Sequence, residues 1–235
     1  MGTGSGVLAM FAADAGAKKI YAVENDPKNI LTLKKTFASN SYGGVIEIIE
    51  GDVTKVPLPE RVDVIVGEMI ATGLIEELQI QAMNNMLQYS KDDTKVVLNK
   101  MENYIDLVCN NDTFYNHKFP VIRYEYPELP QLKSKSFSDK YLFGLVDFSK
   151  TIKNLDVNVN SILKISNNGK INGLRISSKT IFYDNSIFDA SSAYSYPIIL
   201  PIEDFQVEAG DEFVVHLSYK LCSGFDKLNY KVTKK

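Results

Sequence analysis

A chain of 235 residues has room for one large domain or two small ones around a buried core. Its net charge of -3 speaks against a generally basic nucleic-acid binder, and its two cysteines, Cys109 and Cys222, lack the spacing of a metal site or a disulfide framework. No apolar run reaches the roughly 18 residues of a membrane span, and the opening residues lack the charged start and apolar core of a signal peptide. The expectation is a cytoplasmic protein with no metal and no membrane contact.

From the N-terminus, glycines at 2, 4 and 6 make a turn, and residues 7–15, rich in Ala, Leu, Met and Phe, favour a helix behind it. Residues 19–23 form a short β-prone run. Asp26-Pro27 then signals a helix start, and apolar Ile30, Leu31, Leu33 and Phe37 predict an amphipathic helix over 29–39. Residues 45–49 and 62–66 read as strands, 74–87 as a helix and 94–98 as a strand. This alternation predicts a doubly wound, Rossmann-like parallel sheet over residues 1–100.

After residue 100 the rhythm changes, and helical periodicity nearly vanishes. Runs rich in Ile, Val, Phe and Tyr at 142–148, 162–165, 172–176, 198–200, 205–207, 213–221 and 228–232 are separated by Asn, Ser, Gly and Pro. Asn167-Asn168-Gly169-Lys170 and Glu208-Ala209-Gly210-Asp211 are turn signals between such runs. Residues 101–235 therefore read as an antiparallel β-barrel or sandwich, with 126–139 as an exposed loop.

Gly2-Thr3-Gly4-Ser5-Gly6 precedes the first helix, where glycines let a ligand approach main-chain amides at a helix N-terminus. A GxGxG alone is weak, because glycine-rich turns also serve as connectors. Glu24 strengthens it: an acidic side chain at the end of the next strand, about 20 residues on, can accept from both ribose hydroxyls. Asp52 and Val53 stand at the following strand end, where an acidic side chain and backbone groups can meet an adenine. The plainer reading of Asp52 is a solvated turn residue. A nicotinamide dinucleotide would use the same geometry, although its usual pattern is GxGxxG.

The next strand ends at Val66-Gly67-Glu68, and Glu76-Glu77 follows, so Glu68 and Glu77 stand nine positions apart. Two carboxylates can clamp a planar guanidinium, each accepting a bidentate pair, or hold another amine or cation. The alternative for Glu77 is a helix-start carboxylate favoured by the dipole.

GTGSG, followed by AGAKKIYAVE, resembles the first cofactor motif of the class I methyltransferases. The spacing of Glu68 and Glu77 resembles the double-glutamate loop of the protein arginine methyltransferases. The resemblance implies S-adenosylmethionine as cofactor, bound by Gly2, Gly4, Gly6, Glu24, Asp52 and Val53. It implies a protein or peptide arginine as acceptor, held by the catalytic pair Glu68 and Glu77, and a β-barrel completing the substrate groove. The chain departs from the family in three ways. It has no Trp, so the family's Thr-His-Trp segment has its nearest counterpart in Ala193-Tyr194-Ser195. Met69-Ile70-Ala71 replaces the aromatic and glycine residues that follow the first glutamate in many members. The sequence opens at the glycine turn, so the first strand of the sheet is expected to be missing. Methyl transfer to RNA or a small metabolite, and a non-catalytic methyltransferase-like binding module, are the competing readings. Residues 126–139 read equally as a shortened dimerisation arm, which would make the chain a homo-oligomer.

Overall fold

The computed structural model describes residues 1–126, 128–130, 133–189 and 195–235. Helix α1 (Val7–Asp14) starts behind Gly6, which caps it in a left-handed conformation at φ 83°. A Cβ at that position would lie 2.7 Å from Leu33 and 2.8 Å from Phe37, so glycine is what lets this turn pack. Strand β1 (Ile20–Glu24) follows. The Asp26 side chain then accepts from the main-chain N–H of Lys28 and, with Pro27 in the first turn, starts α2 (Pro27–Ser39). Ile30, Leu33 and Phe37 fall on one face of α2 and are buried, and Leu33 and Phe37 cluster with Ala22 of β1 and Ile46. Truncating Leu33 to Ala would cost about 2–5 kcal/mol by loss of burial and the cavity left behind.

Strand β2 (Ile46–Glu50) pairs parallel to β1, from Ile20 opposite Ile46 to Glu24 opposite Glu50. Strand β3 (Val62–Ile65), α3 (Gln79–Met86) and β4 (Ser90–Val96) make a second parallel unit. The expected parallel halves are present, and they are interrupted where the sheet was expected to lack its first strand. The strands form two separate pairs, because nothing among the described residues fills the space between β1 and β3.

From β5 (Leu98–Cys109) onward the pairing is antiparallel. A hairpin of β6 (Thr113–Phe114) and β7 (His117–Lys118) turns through Tyr115 and Asn116, both at positive φ. Next come β8 (Arg123–Tyr124), β9 (Lys135–Ser136), β10 (Tyr141–Asp147), β11 (Asp156–Lys164) and β12 (Gly169–Phe182). The last four are β13 (Ile187–Phe188), β14 (Ile198–Val207), β15 (Glu212–Lys220) and β16 (Asn229–Lys234). One sheet has the order β10-β5-β12-β14-β8, with β9 on β5 and β13 on β12, and the other is β11-β15-β16. The arrangement is a sandwich, with no closed barrel among the described residues. Runs 198–200 and 205–207, expected as separate strands, belong to the single strand β14.

Strand β11 alternates as a half-buried strand should, with Val159, Ser161 and Leu163 inward. Ile105, Leu107, Leu174 and Ile176 of one sheet share a core with Phe213, Val215 and Leu217 of the other. The same core takes in Ile70, Leu74, Ile75, Ile80 and Met83, so the segment between β3 and α3 joins the two halves. A buried ion pair marks the larger sheet. Arg175 on β12 reaches both oxygens of the fully buried Asp106 at 2.9 and 2.6 Å and adds Glu125 at 3.3 Å. Removing one partner of such a pair would strand a charge in the core.

Candidate functional site

The glycine turn sits at the C-terminal ends of the parallel strands. The main-chain nitrogen of Met1 donates to the Val66 carbonyl at 2.8 Å, and that of Thr3 to the Val23 carbonyl at 3.0 Å. Gly2, Gly4 and Gly6 all have left-handed backbones. Their surroundings differ: a Cβ on Gly6 would strike α2 and one on Gly2 would press on Met69, whereas one on Gly4 would meet nothing closer than 4.0 Å. Gly4 is thus where the main chain stays open to an approaching ligand.

Glu24 converges on this opening. It is 7% exposed, and its Oε2 accepts from the Gly4 N–H at 2.8 Å. Its Oε1 accepts from the N–H groups of Asn25 and Asp26 at 3.0 and 2.9 Å. A carboxylate offers about four acceptor positions, so one direction on Oε2 is left for a ligand hydroxyl. The Gly51 N–H donates to the Glu24 carbonyl at 2.9 Å, which places Asp52 beside it at the end of β2. Asp52 is turned into its own loop, accepting from the Thr54 N–H and hydroxyl at 2.9 and 2.8 Å. Those bonds, with Lys55 nearby, hold its pKa below the usual carboxylate value. Its geometry is that of the turn residue that sequence offered as the plainer reading. Val53 is buried, and its carbonyl takes the Asn85 side-chain amide at 3.0 Å.

The carboxylates occupy the segment between β3 and α3, which sequence assigned to helix from residue 74. The helix starts instead at Gln79, because Gly73, Leu74 and Glu77 have φ of 66°, 51° and 49°. Two of these are non-glycine residues in a sparsely populated region, a conformation that persists only where surroundings impose it. Those surroundings come from far along the chain. The Thr72 hydroxyl donates to the Tyr196 carbonyl at 2.6 Å and lies 2.9 Å from the Ser195 hydroxyl. The Gly73 N–H donates to Ser178, whose hydroxyl donates to Asn103, and Tyr219 donates to the Gly73 carbonyl at 2.6 Å. The N–H of Cys222 holds the Leu74 carbonyl, and those of Ser223 and Gly224 hold that of Ile75. The Tyr124 hydroxyl donates to Glu76. Burial raises the Tyr219 and Tyr124 pKa values, so both hydroxyls keep their protons as donors.

Glu77 follows directly, exposed, with Leu78 as the residue before α3. No carboxylate lies in the first turn of α3 and no side chain caps it, so Glu77 is not the dipole partner that a helix-start reading requires. Burial raises the pKa of Cys222, and the charge of Glu77 is among the further causes. Glu68 is also exposed, three residues past β3, beside the Met1 and Met69 contacts of the glycine turn. The buried Gln79 straps the segment, with its Oε1 accepting from Met69 N–H and its amide donating to the Gly67 carbonyl. Sequence reasoning missed Thr72, Gln79, Tyr124 and Tyr219, whose partners no local pattern reveals. Of the counterpart Ala193-Tyr194-Ser195, only Ser195 lies within the described residues, and its hydroxyl meets that of Thr72.

Comparisons with known proteins agree with this arrangement. The family profile described as ribosomal protein L11 methyltransferase (PrmA) matches residues 1–115. An uncharacterized protein of Methanocaldococcus jannaschii is 32% identical over 222 residues, spanning 94% of this chain and 80% of the relative. Protein arginine N-methyltransferase PRMT10 of Arabidopsis thaliana is 43% identical over 77 residues, a third of this chain (33%) and a fifth of that protein (20%). Among solved structures, the Trypanosoma brucei PRMT1 enzyme–prozyme heterotetrameric complex with AdoHcy superposes with a TM-score of 0.81 at 19% identity, covering 100% of this chain and 82% of that one. The Arabidopsis PRMT10 structure gives 0.78 at 15% identity, covering 99% and 87%.

Proposed function

Because this chain belongs to the S-adenosylmethionine-dependent methyltransferases that resemble the protein arginine methyltransferases, we propose that it methylates a nitrogen of a protein arginine side chain. The observation that carries the acceptor assignment is the segment between β3 and α3. It holds Glu77 in a left-handed backbone without using it as a helix cap, and it begins at Glu68 beside the glycine turn. A strained backbone at a residue whose carboxylate is left exposed supports a ligand-binding role for it.

The residues present fit the cofactor. Gly4 leaves the main chain bare, the amides at the start of α1 face the turn, and the buried Glu24 keeps an acceptor for a ribose hydroxyl. Asp52 and Val53 would line the adenine side, Asp52 through main-chain groups while its carboxylate serves the turn. When bound, S-adenosylmethionine supplies an electrophilic methyl group on a sulfonium. Glu68 and Glu77 grip the guanidinium fork in charge-assisted pairs and turn one nitrogen toward that methyl. Orientation of this kind supplies much of what a group transfer needs. The substrate is a protein or peptide, and the setting is cytoplasmic. Exposed Tyr115, Phe119, Val121 and Ile122 support a homo-oligomer, since such apolar groups mark contact surfaces.

Incubation with cofactor labelled on the methyl group and an arginine-rich peptide tests the reading. Label recovered as methylarginine after hydrolysis supports it. Label recovered only in RNA or small metabolites would replace the acceptor, and no turnover despite cofactor binding would favour a binding module.

A further inference from the structure

Beside the carboxylate segment, three tyrosines of the β-sandwich meet at the surface. Tyr124 ends β8, Tyr126 lies two residues on, and Tyr196 stands two residues before β14. Strand β8 pairs with β14 at Tyr124 opposite Ile198, and the Glu125 N–H donates to the Pro197 carbonyl at 2.8 Å, which straps the two segments together. The Tyr126 ring lies 4.9 Å from that of Tyr196, tilted by 59°, and 6.5 Å from that of Tyr124, tilted by 58°. Core packing accounts for Tyr124 alone. Tyr126 is 41% exposed, and neither it nor Tyr196 joins the core against which Tyr124 lies.

A carboxylate borders the cluster on either side. The Tyr124 hydroxyl donates to Glu76, and the Tyr196 hydroxyl donates to the exposed Glu128 at 3.4 Å. Burial raises the Tyr196 pKa and the charge of Glu128 adds to it, so this hydroxyl keeps its proton as a donor. The rings are therefore neutral π-faces bordered by negative charge. The Thr72 hydroxyl donates to the Tyr196 carbonyl at 2.6 Å, and Glu76 directly precedes Glu77, so the cluster is tied to the acceptor segment through two bonds.

This chemistry selects a guanidinium. A planar cation stacks on a tyrosine face, and its N–H groups pair with a carboxylate. A lysine ammonium lacks the plane, and a nucleobase lacks the charge. A nucleic acid would also bring phosphates toward Glu76, Glu77 and Glu128.

We infer that Tyr126, Tyr196 and Glu128 form a second guanidinium site, which takes an arginine of the substrate chain a few residues from the acceptor arginine. The inference rests on the arginine reading of Glu68 and Glu77 for its acceptor, and on separate residues for its own contacts. The site favours polypeptides with paired arginines over those with one.

The test uses the whole chain and fluorescein-labelled Gly-Ser peptides, one with a single central arginine and others with a second arginine at successive positions on either side. Anisotropy with the demethylated cofactor present measures binding, and labelled cofactor measures kcat/KM. At one or two positions the second arginine should raise affinity and kcat/KM about 5- to 30-fold. Citrulline there, planar but uncharged, should lose the gain. Tyr126→Leu, with the fold checked by circular dichroism, should bring paired and single peptides within about twofold of each other. Tyr126→Phe should keep the gain, and Glu128→Gln should reduce it. Methylation of the single-arginine peptide with no gain at any position would overturn the second site and leave the acceptor reading standing. So would a gain that survives Tyr126→Leu. A gain in binding without methylation, erased by Tyr126→Leu, would support the second site and overturn the acceptor reading. Neither binding nor methylation would overturn both. Displacement of the peptide by polyuridylate would assign the rings to nucleobases and overturn the guanidinium.

Discussion

The glycine turn and the carboxylate segment lie side by side yet are built in opposite ways. Apart from the bond of Met1 to Val66, the turn is assembled from residues close in sequence: Gly4 meets Glu24 at a separation of 20, and Glu24 is held by Asn25 and Asp26. The segment from Thr72 to Glu76 is held by Tyr124, Ser178, Ser195, Tyr219 and Cys222, at separations of 48 to 148. One half of the molecule thus builds most of the glycine turn by itself, while the backbone of the segment from Thr72 to Glu76 is imposed by the other half. Disturbing the β-sandwich should therefore damage the acceptor site and spare the cofactor site.

The largest expected effect falls on the carboxylates. Glu68→Gln and Glu77→Gln keep shape and remove charge, and each should lower kcat/KM for methyl transfer about 10²- to 10³-fold, the scale of losing one charge-stabilising group. Initial rates with labelled cofactor check this, and unchanged rates would break the clamp. A smaller effect belongs to the turn. Glu24→Ala should weaken cofactor binding about 5- to 150-fold, corresponding to about 1–3 kcal/mol for a buried charged partner. Calorimetric titration with the demethylated cofactor measures it.

Tyr219→Phe sharpens the comparison from the far side. It leaves the buried Gly73 carbonyl without its donor, costing about 1–3 kcal/mol of stability. Denaturant unfolding should register that loss, and turnover should fall while cofactor affinity holds. An equal fall in both would mean that the halves are not separable. The smallest effect separates two glycines. Gly6→Ala forces Cβ against Leu33 and Phe37 and should lower the melting temperature. Gly4→Ala has open space and should chiefly weaken cofactor binding, at a backbone cost of about 1–2 kcal/mol.

The same contrast explains what could be read from sequence. The glycine turn, Glu24 and the Asp26-Pro27 helix start were legible because their partners lie within one βαβ unit. The sheet rhythm after residue 100 was legible from alternation alone. The start of α3 was not, because apolar Leu74 and Ile75 carry helical spacing while β-sandwich hydrogen bonds force the backbone left-handed at Leu74 and Glu77. Strand β5 escaped because Asn99, Lys100, Glu102, Asn103 and Asp106 interrupt its apolar run. Asn103 and Asp106 are nevertheless buried, paired with Ser178 and Arg175, and both partners come from β12.

The most direct test of this division of labour is the cofactor affinity of Glu77→Gln measured beside that of Glu24→Ala, by calorimetry on folded protein. The account predicts that Glu77→Gln binds within about twofold of the unaltered chain while Glu24→Ala loses at least fivefold, a difference of about 1 kcal/mol or more. Equal losses in the two variants, or a loss confined to Glu77→Gln, would contradict it.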